Sequence, residues 1–166
     1  MVLTFRYRLL PSKAQHRALE RLLESQRQLY NAALEERIGA YQKVGKSLTY
    51  FDQAKSLTEW RNDDPEAAQT PVNIQRATLK RLHDAYRGFF RRVREGGKPG
   101  FPRFRGKGWF DSFGFCEFAG ITLKDGRLRF KGMPGALRVH WHRELAGTSS
   151  RAAHSSVIAR AGLWAS

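Results

Sequence analysis

Apolar and polar residues alternate over the first ten positions. Leu3, Phe5, Tyr7 and Leu9 fall on one side of an extended chain, and Thr4, Arg6 and Arg8 on the other. That period of two predicts a strand, which Pro11 stops. The period then changes to three and four. Leu19, Leu22, Leu23, Leu29, Tyr30, Ala33, Leu34, Ile38 and Tyr41 line one face of a long predicted helix. Ser12 and Gln15 have the spacing of a capping box at its start, and Gly45 suits its end. A shorter helix is predicted from about Tyr50 to Trp60, closed by the acidic turn NDDPE at 62–66. A third follows, with Thr70 as cap and Pro71 in the first helical position. Its apolar face is Leu79, Leu82, Ala85, Tyr86, Phe89, Phe90 and Val93, and Gly96 and Gly97 end it.

Beyond residue 108 the pattern is that of short strands. Phe113, Phe115 and Phe118 share one run. ITLKDGRLRF reads as two alternating segments around an Asp-Gly turn, a hairpin signal, and LRVHWH (137–142) alternates again. No repeat and no low-complexity tract interrupts this order. The expected fold class is α+β: a β module whose N-terminal strand is separated from its later strands by an inserted block of about three helices.

Charge adds a partner to this picture. The 166 residues carry 30 Lys and Arg against 15 Asp and Glu, a formal net charge of +15. An excess of that size favours a polyanion, because each neutralised phosphate releases counterions. A membrane surface is less well supported, since no long apolar run is present. The excess is also concentrated. Between Arg76 and Lys107 lie eleven Lys and Arg and two acids, Asp84 and Glu95. Lys80, Arg87 and Arg91 belong to the third helix, which runs into GGKPGFPRFRGKG (96–108), where Phe101 and Phe104 alternate with Lys98, Arg103, Arg105 and Lys107. Pro99 and Pro102 favour an extended backbone there. Such a strip could follow phosphates while offering aromatic faces to bases. It could equally be a loop that tucks two phenylalanines under a domain edge.

Catalytic constellations are not evident. No pair of acids is placed at strand ends to hold two metals, and no nucleophile-elbow spacing occurs. His140 and His142 would share a strand face but lack a third ligand of suitable spacing. The single cysteine, Cys116, rules out an intrachain disulfide framework or cysteine zinc ribbon. With no secretory signal at the N-terminus, the expected setting is the cytoplasm, at the nucleoid when DNA-bound.

Several segments together resemble a known family. They are Phe5-Arg6-Tyr7-Arg8-Leu9-Leu10-Pro11 with Gln15, then Arg27…Tyr30-Asn31…Leu34, then Leu48-Thr49-Tyr50-Phe51, then Leu82…Ala85-Tyr86…Phe89-Phe90, then Lys98-Pro99-Gly100-Phe101-Pro102-Arg103-Phe104. In this order they resemble the N-terminal half of the OrfB/TnpB proteins of bacterial insertion sequences, RNA-guided DNA endonucleases long called transposases. The resemblance implies a small antiparallel β-barrel-like wedge module at 1–11 and 108–166. It implies a helical recognition module at 12–95 and a basic aromatic connecting strip at 96–107. Residues 161–166 are similar to the Gly-x-Trp strand that closes the wedge before the RuvC nuclease domain. The nuclease acids with their divalent metal, and the zinc-finger cysteines, are accordingly expected beyond this chain. The chain itself is expected to hold no cofactor and no catalytic residue.

By the same resemblance the chain would grip guide RNA and guide–target heteroduplex, and would read a short DNA motif next to the target. Tyr50, Asn73, Gln75 and Arg76 would form the motif-reading surface. Lys98, Arg103, Arg105 and Lys107 would lie along phosphates, with the two phenylalanines partly buried to hold them in place. The surface left by an absent nuclease domain would favour self-association unless RNA is bound. Two other readings remain: a stand-alone helix-turn-helix-like DNA-binding regulator, and a decayed transposon product without function.

Overall fold

The computed structural model describes residues 6–116 and 120–142, with the backbone of 158–160. Its element order is β1 (Arg8–Leu10), α1 (Lys13–Val44), α2 (Tyr50–Asp63), α3 (Val72–Arg94), β2 (Ser112–Gly114), β3 (Ile121–Lys124), β4 (Arg127–Phe130), β5 (Leu137–His140) and β6 (Ile158–Arg160). The fold is α+β with three helices, as the periodicities predicted. Phe118 and the last residues of the chain, 161–166, lie outside the described residues.

Helix α1 is the spine. At 32 residues it is about 48 Å long. Ser12 and Gln15 form the expected reciprocal cap, and Gly45 closes the other end at φ 65°, a left-handed conformation that suits glycine. Both hydrophobic cores rest on this helix. In one, Ala18 and Leu19 meet the inner sheet residues Leu9, Ile121 and Leu137, with Phe113, Phe115 and Ile74. In the other, Tyr30, Ala33 and Leu34 meet Leu57, Leu79, Leu82 and Phe110. Buried polar contacts fix the register between elements. Thr78 Oγ1 donates to Gln26 Oε1 at 2.8 Å, joining α3 to α1. Gln15 Nε2 donates to the carbonyls of Pro134 and Ala136, tying the start of α1 to the β4–β5 connection.

Strands β1-β5-β4-β3 form a four-stranded sheet and β2-β6 a separate antiparallel pair. Among the described residues the sheet is open, with β1 and β3 as its two edges, so the barrel-like part of the expectation is not confirmed. The Asp-Gly hairpin forms as read: Asp125 and Gly126 both take positive φ, 49° and 69°, as a two-residue primed turn requires. Two helix ends differ from expectation. α2 continues to Asp63, and α3 starts one residue later than predicted, with Pro71 as its cap residue. Thr70 does not cap; its carbonyl accepts from Arg61 Nη1 instead.

Candidate nucleic-acid interface

The basic aromatic strip is folded back against the helices. After α3, Arg92 Nη2 donates to the Gly100 carbonyl at 3.0 Å, turning the chain round the helix end. Phe101 then lies nearly perpendicular to Tyr86 and Phe89, with ring centroids 5.6 and 5.3 Å away. Pro102 is buried. Three residues on, α1 holds the backbone. Asn31 Nδ2 donates to the Arg105 carbonyl at 2.9 Å, and the Arg105 N–H donates to Asn31 Oδ1 at 2.8 Å. Arg27 Nη1 adds a third bond to the same carbonyl, at 2.8 Å. One asparagine side chain thus satisfies both polar groups of one peptide residue, as a neighbouring strand would.

This clamp sets what the strip displays. Lys98, Arg103 and Lys107 point to solvent, while Arg105 is half-buried with its guanidinium 5.8 Å from the Tyr30 ring centre. Phe101 and Phe104 are 47% and 55% exposed, so they are less buried than holding residues need be. Glu24 grips Arg27 at 2.6 Å, and that guanidinium holds the Glu24 carboxyl down at about 2.

On α3 the exposed cations Arg76, Lys80, Arg87, Arg91 and Arg94 fall within about 60° of helix circumference, at 100° per residue. They form a single stripe leading to the strip. Among the described residues only Arg87 has an acidic partner within 4 Å, Asp84 at 3.6 Å, and both side chains are largely exposed. Arg81 has a structural role instead: it donates to the Ser112 carbonyl and lies 4.7 Å from the Phe110 ring centre.

The expected motif-reading group is divided. Arg76 faces solvent and Tyr50 is half-buried, its ring near those of Phe51 and His83. Asn73 and Gln75 face the interior, 8% and 2% exposed. Gln75 accepts from Arg61 Nη1 and donates to the Ala67 carbonyl. Asn73 Oδ1 and its backbone carbonyl both accept from Cys116. In this structure the start of α3 therefore presents Arg76 outward, while the two amides tie the helix to the 67–70 turn and to the segment after β2. A turn-rich link (64–71) that needs satisfied carbonyls supplies the reason.

A second cationic surface was not foreseen. On the sheet, Arg138 sits opposite Arg127, and Arg127 opposite Lys124, all exposed on the side away from α1. Arg8 pairs with His140 on the same face. Like charges directly across a ladder destabilise it unless a counter-charge is supplied. The signal was present in KDGRLRF and LRVH, where every outward position is polar or cationic, but the register that aligns them is not local.

Among the described residues no three His, Cys, Asp or Glu side chains cluster to hold a metal. His140 and His142 lie 6.4 Å apart by ring centre, beside Tyr7 and Trp141. No described helix is long and apolar enough to cross a membrane. Inside the helical block, Arg37 is buried, donating Nε to Gln53 Oε1 at 2.6 Å with its guanidinium 4.9 Å from the Tyr86 ring centre. Burial pushes His83 below its ordinary pKa, and the Arg37 charge adds to that.

Residues 1–46 match the helix-turn-helix domain of the OrfB family model. Over 163 residues, 96% of the chain, the sequence is 26% identical to a Streptomyces pristinaespiralis protein named as an RNA-guided DNA endonuclease, of which it covers 39%. Both matches agree with the resemblance carried by the ordered motifs, and the chain spans well under half the length of that relative. Within the matched stretch, residues 13–44 form one unbroken helix; the next turn and helix lie beyond it.

Proposed function

We propose that this chain is a binding region of an RNA-guided DNA endonuclease and that it holds guide RNA and guide–target heteroduplex by their backbones. The observation that carries this reading is the α3 stripe continuing into the clamped strip. Arg76, Lys80, Arg87, Arg91, Lys98, Arg103 and Lys107 are exposed along a continuous stretch of chain, with one weak ion pair among them. A solvated helix face usually mixes signs; this one sets five exposed cations against the single acid Asp84. The outward sheet cations extend the same surface chemistry to a second side of the molecule. We place the wedge module at 1–11 and 108–166, the recognition module at 12–95 and the strip between them.

Backbone gripping needs no catalytic group here, so cleavage, with its divalent metal, and the zinc finger are left to regions of the family outside these 166 residues. Motif reading, if it involves this chain, falls to Arg76, whose guanidinium can bond a guanine edge. The test is affinity for RNA hairpins against matched duplex DNA across about 50 to 200 mM salt. Preference for RNA with a steep salt slope supports the reading. Preference for duplex DNA favours a regulator, and shallow, equal binding to both refutes a built interface.

A further inference from the structure

The end of α3 presents aromatic rings beside its cation stripe. Phe90 is 54% exposed, Val93 50% and Phe101 47%. Tyr86 and Phe89, half-buried, back these rings at centroid distances of 5.1 to 6.2 Å. Along one row of the helix, Arg87, Phe90 and Arg94 follow at spacings of three and four, about 10 Å from first to last. A shallow cavity of about 410 Å³ opens here, lined by Asp84, Arg87, Gly88, Phe90, Arg91 and Arg94. Arginines stand on both sides of the Phe90 ring, Arg87 before it and Arg91 and Arg94 after it.

We infer that this cavity takes an unpaired nucleotide, its base stacked on Phe90 and its phosphates on Arg87, Arg91 and Arg94. Stacking is indifferent to base identity, because every base has a π face, and the flanking guanidiniums supply the charge that follows a backbone. A base in a duplex is already stacked and cannot lie flat on the ring, so the site distinguishes single strands, bulges and frayed ends from continuous helix. The Asp84–Arg87 pair does not oppose this, since both members are exposed and such a pair is worth little.

This inference rests on the nucleic-acid reading and deepens it, and one experiment separates the two. The whole chain is titrated into a single-stranded oligonucleotide carrying 2-aminopurine and into its duplex, at several salt concentrations. Quenching of the single strand is expected, with Phe90→Leu lowering its affinity at least about fivefold at an unchanged salt slope, and Phe90→Trp restoring it. Arg91→Ala should lower the single-strand slope by about 0.7. Salt-dependent binding without quenching, and untouched by Phe90→Leu, overturns the stacking site while leaving the interface, and makes the patch a seat for protein. Absence of salt-dependent binding to either probe overturns both.

Discussion

Replacing Asn31 by alanine isolates the clamp on the strip. Two hydrogen bonds are lost, Asn31 Nδ2 to the Arg105 carbonyl and the Arg105 N–H to Asn31 Oδ1. At roughly 0.5–1.5 kcal/mol net for each, the strip loses about 1–3 kcal/mol of local stability. Arg27 still reaches the same carbonyl, so the lower half of that range is expected. The loss is local, because Asn31 is half-exposed and neither core contains it. Hydrogen exchange reads it directly: protection of the Arg105 amide should fall about tenfold, while amides in α1 and α3 near Leu34 and Leu82 keep theirs. Nucleic-acid affinity should fall by a similar factor at an unchanged salt slope. The strip's cations remain available but must be ordered on binding. An Arg105 amide as protected in the variant as in the parent would refute the clamp.

Other substitutions test other links. Gln75→Ala should destabilise the fold by about 1–2 kcal/mol in chemical denaturation, through the two bonds it removes, since Arg61 and the Ala67 carbonyl keep each other as partners; an altered base preference at unchanged stability would return Gln75 to the reading surface. Leu82→Ala, in the helical core, should cost about 2–5 kcal/mol by the same measurement. Gly126→Ala should shift Trp141 fluorescence and weaken the hairpin, since a Cβ there would meet Trp141 Nε1 at 2.7 Å on a backbone at φ 69°. The Glu24 carboxyl, held at about 2 by Arg27, contributes stability present above its unfolded value of 4.5 and lost as pH falls from there toward 2. Glu24→Gln should flatten that part of an acid-unfolding curve, modestly because the pair is partly exposed.

Local rules made most of the fold legible. A capping box, a terminal glycine and an Asp-Gly turn are each decided within a few residues, and all three formed. What the sequence could not supply depended on partners far along the chain. Whether the short strands close into a barrel is a matter of strand number and tilt, which alternation does not encode. Asn73 and Gln75 look available on a helix start, yet the groups that define their surroundings lie on other elements, Cys116 for Asn73 and Arg61 with Ala67 for Gln75. The strip was recognisable by composition, whereas its attachment needed Asn31 and Arg27, more than 70 residues away. The sheet cations were invisible for the same reason: no single strand carries enough of them to stand out.

The most direct measurement of the central claim is the salt slope of RNA binding for the parent chain and for an Arg87→Ala, Arg91→Ala, Arg103→Ala variant, whose three sites are exposed and outside both cores. If each meets a phosphate, the slope should become shallower by about 2 to 3, with thermal stability unchanged. An identical slope in the two proteins would contradict the account and move the interface elsewhere, with the sheet face next to be tested.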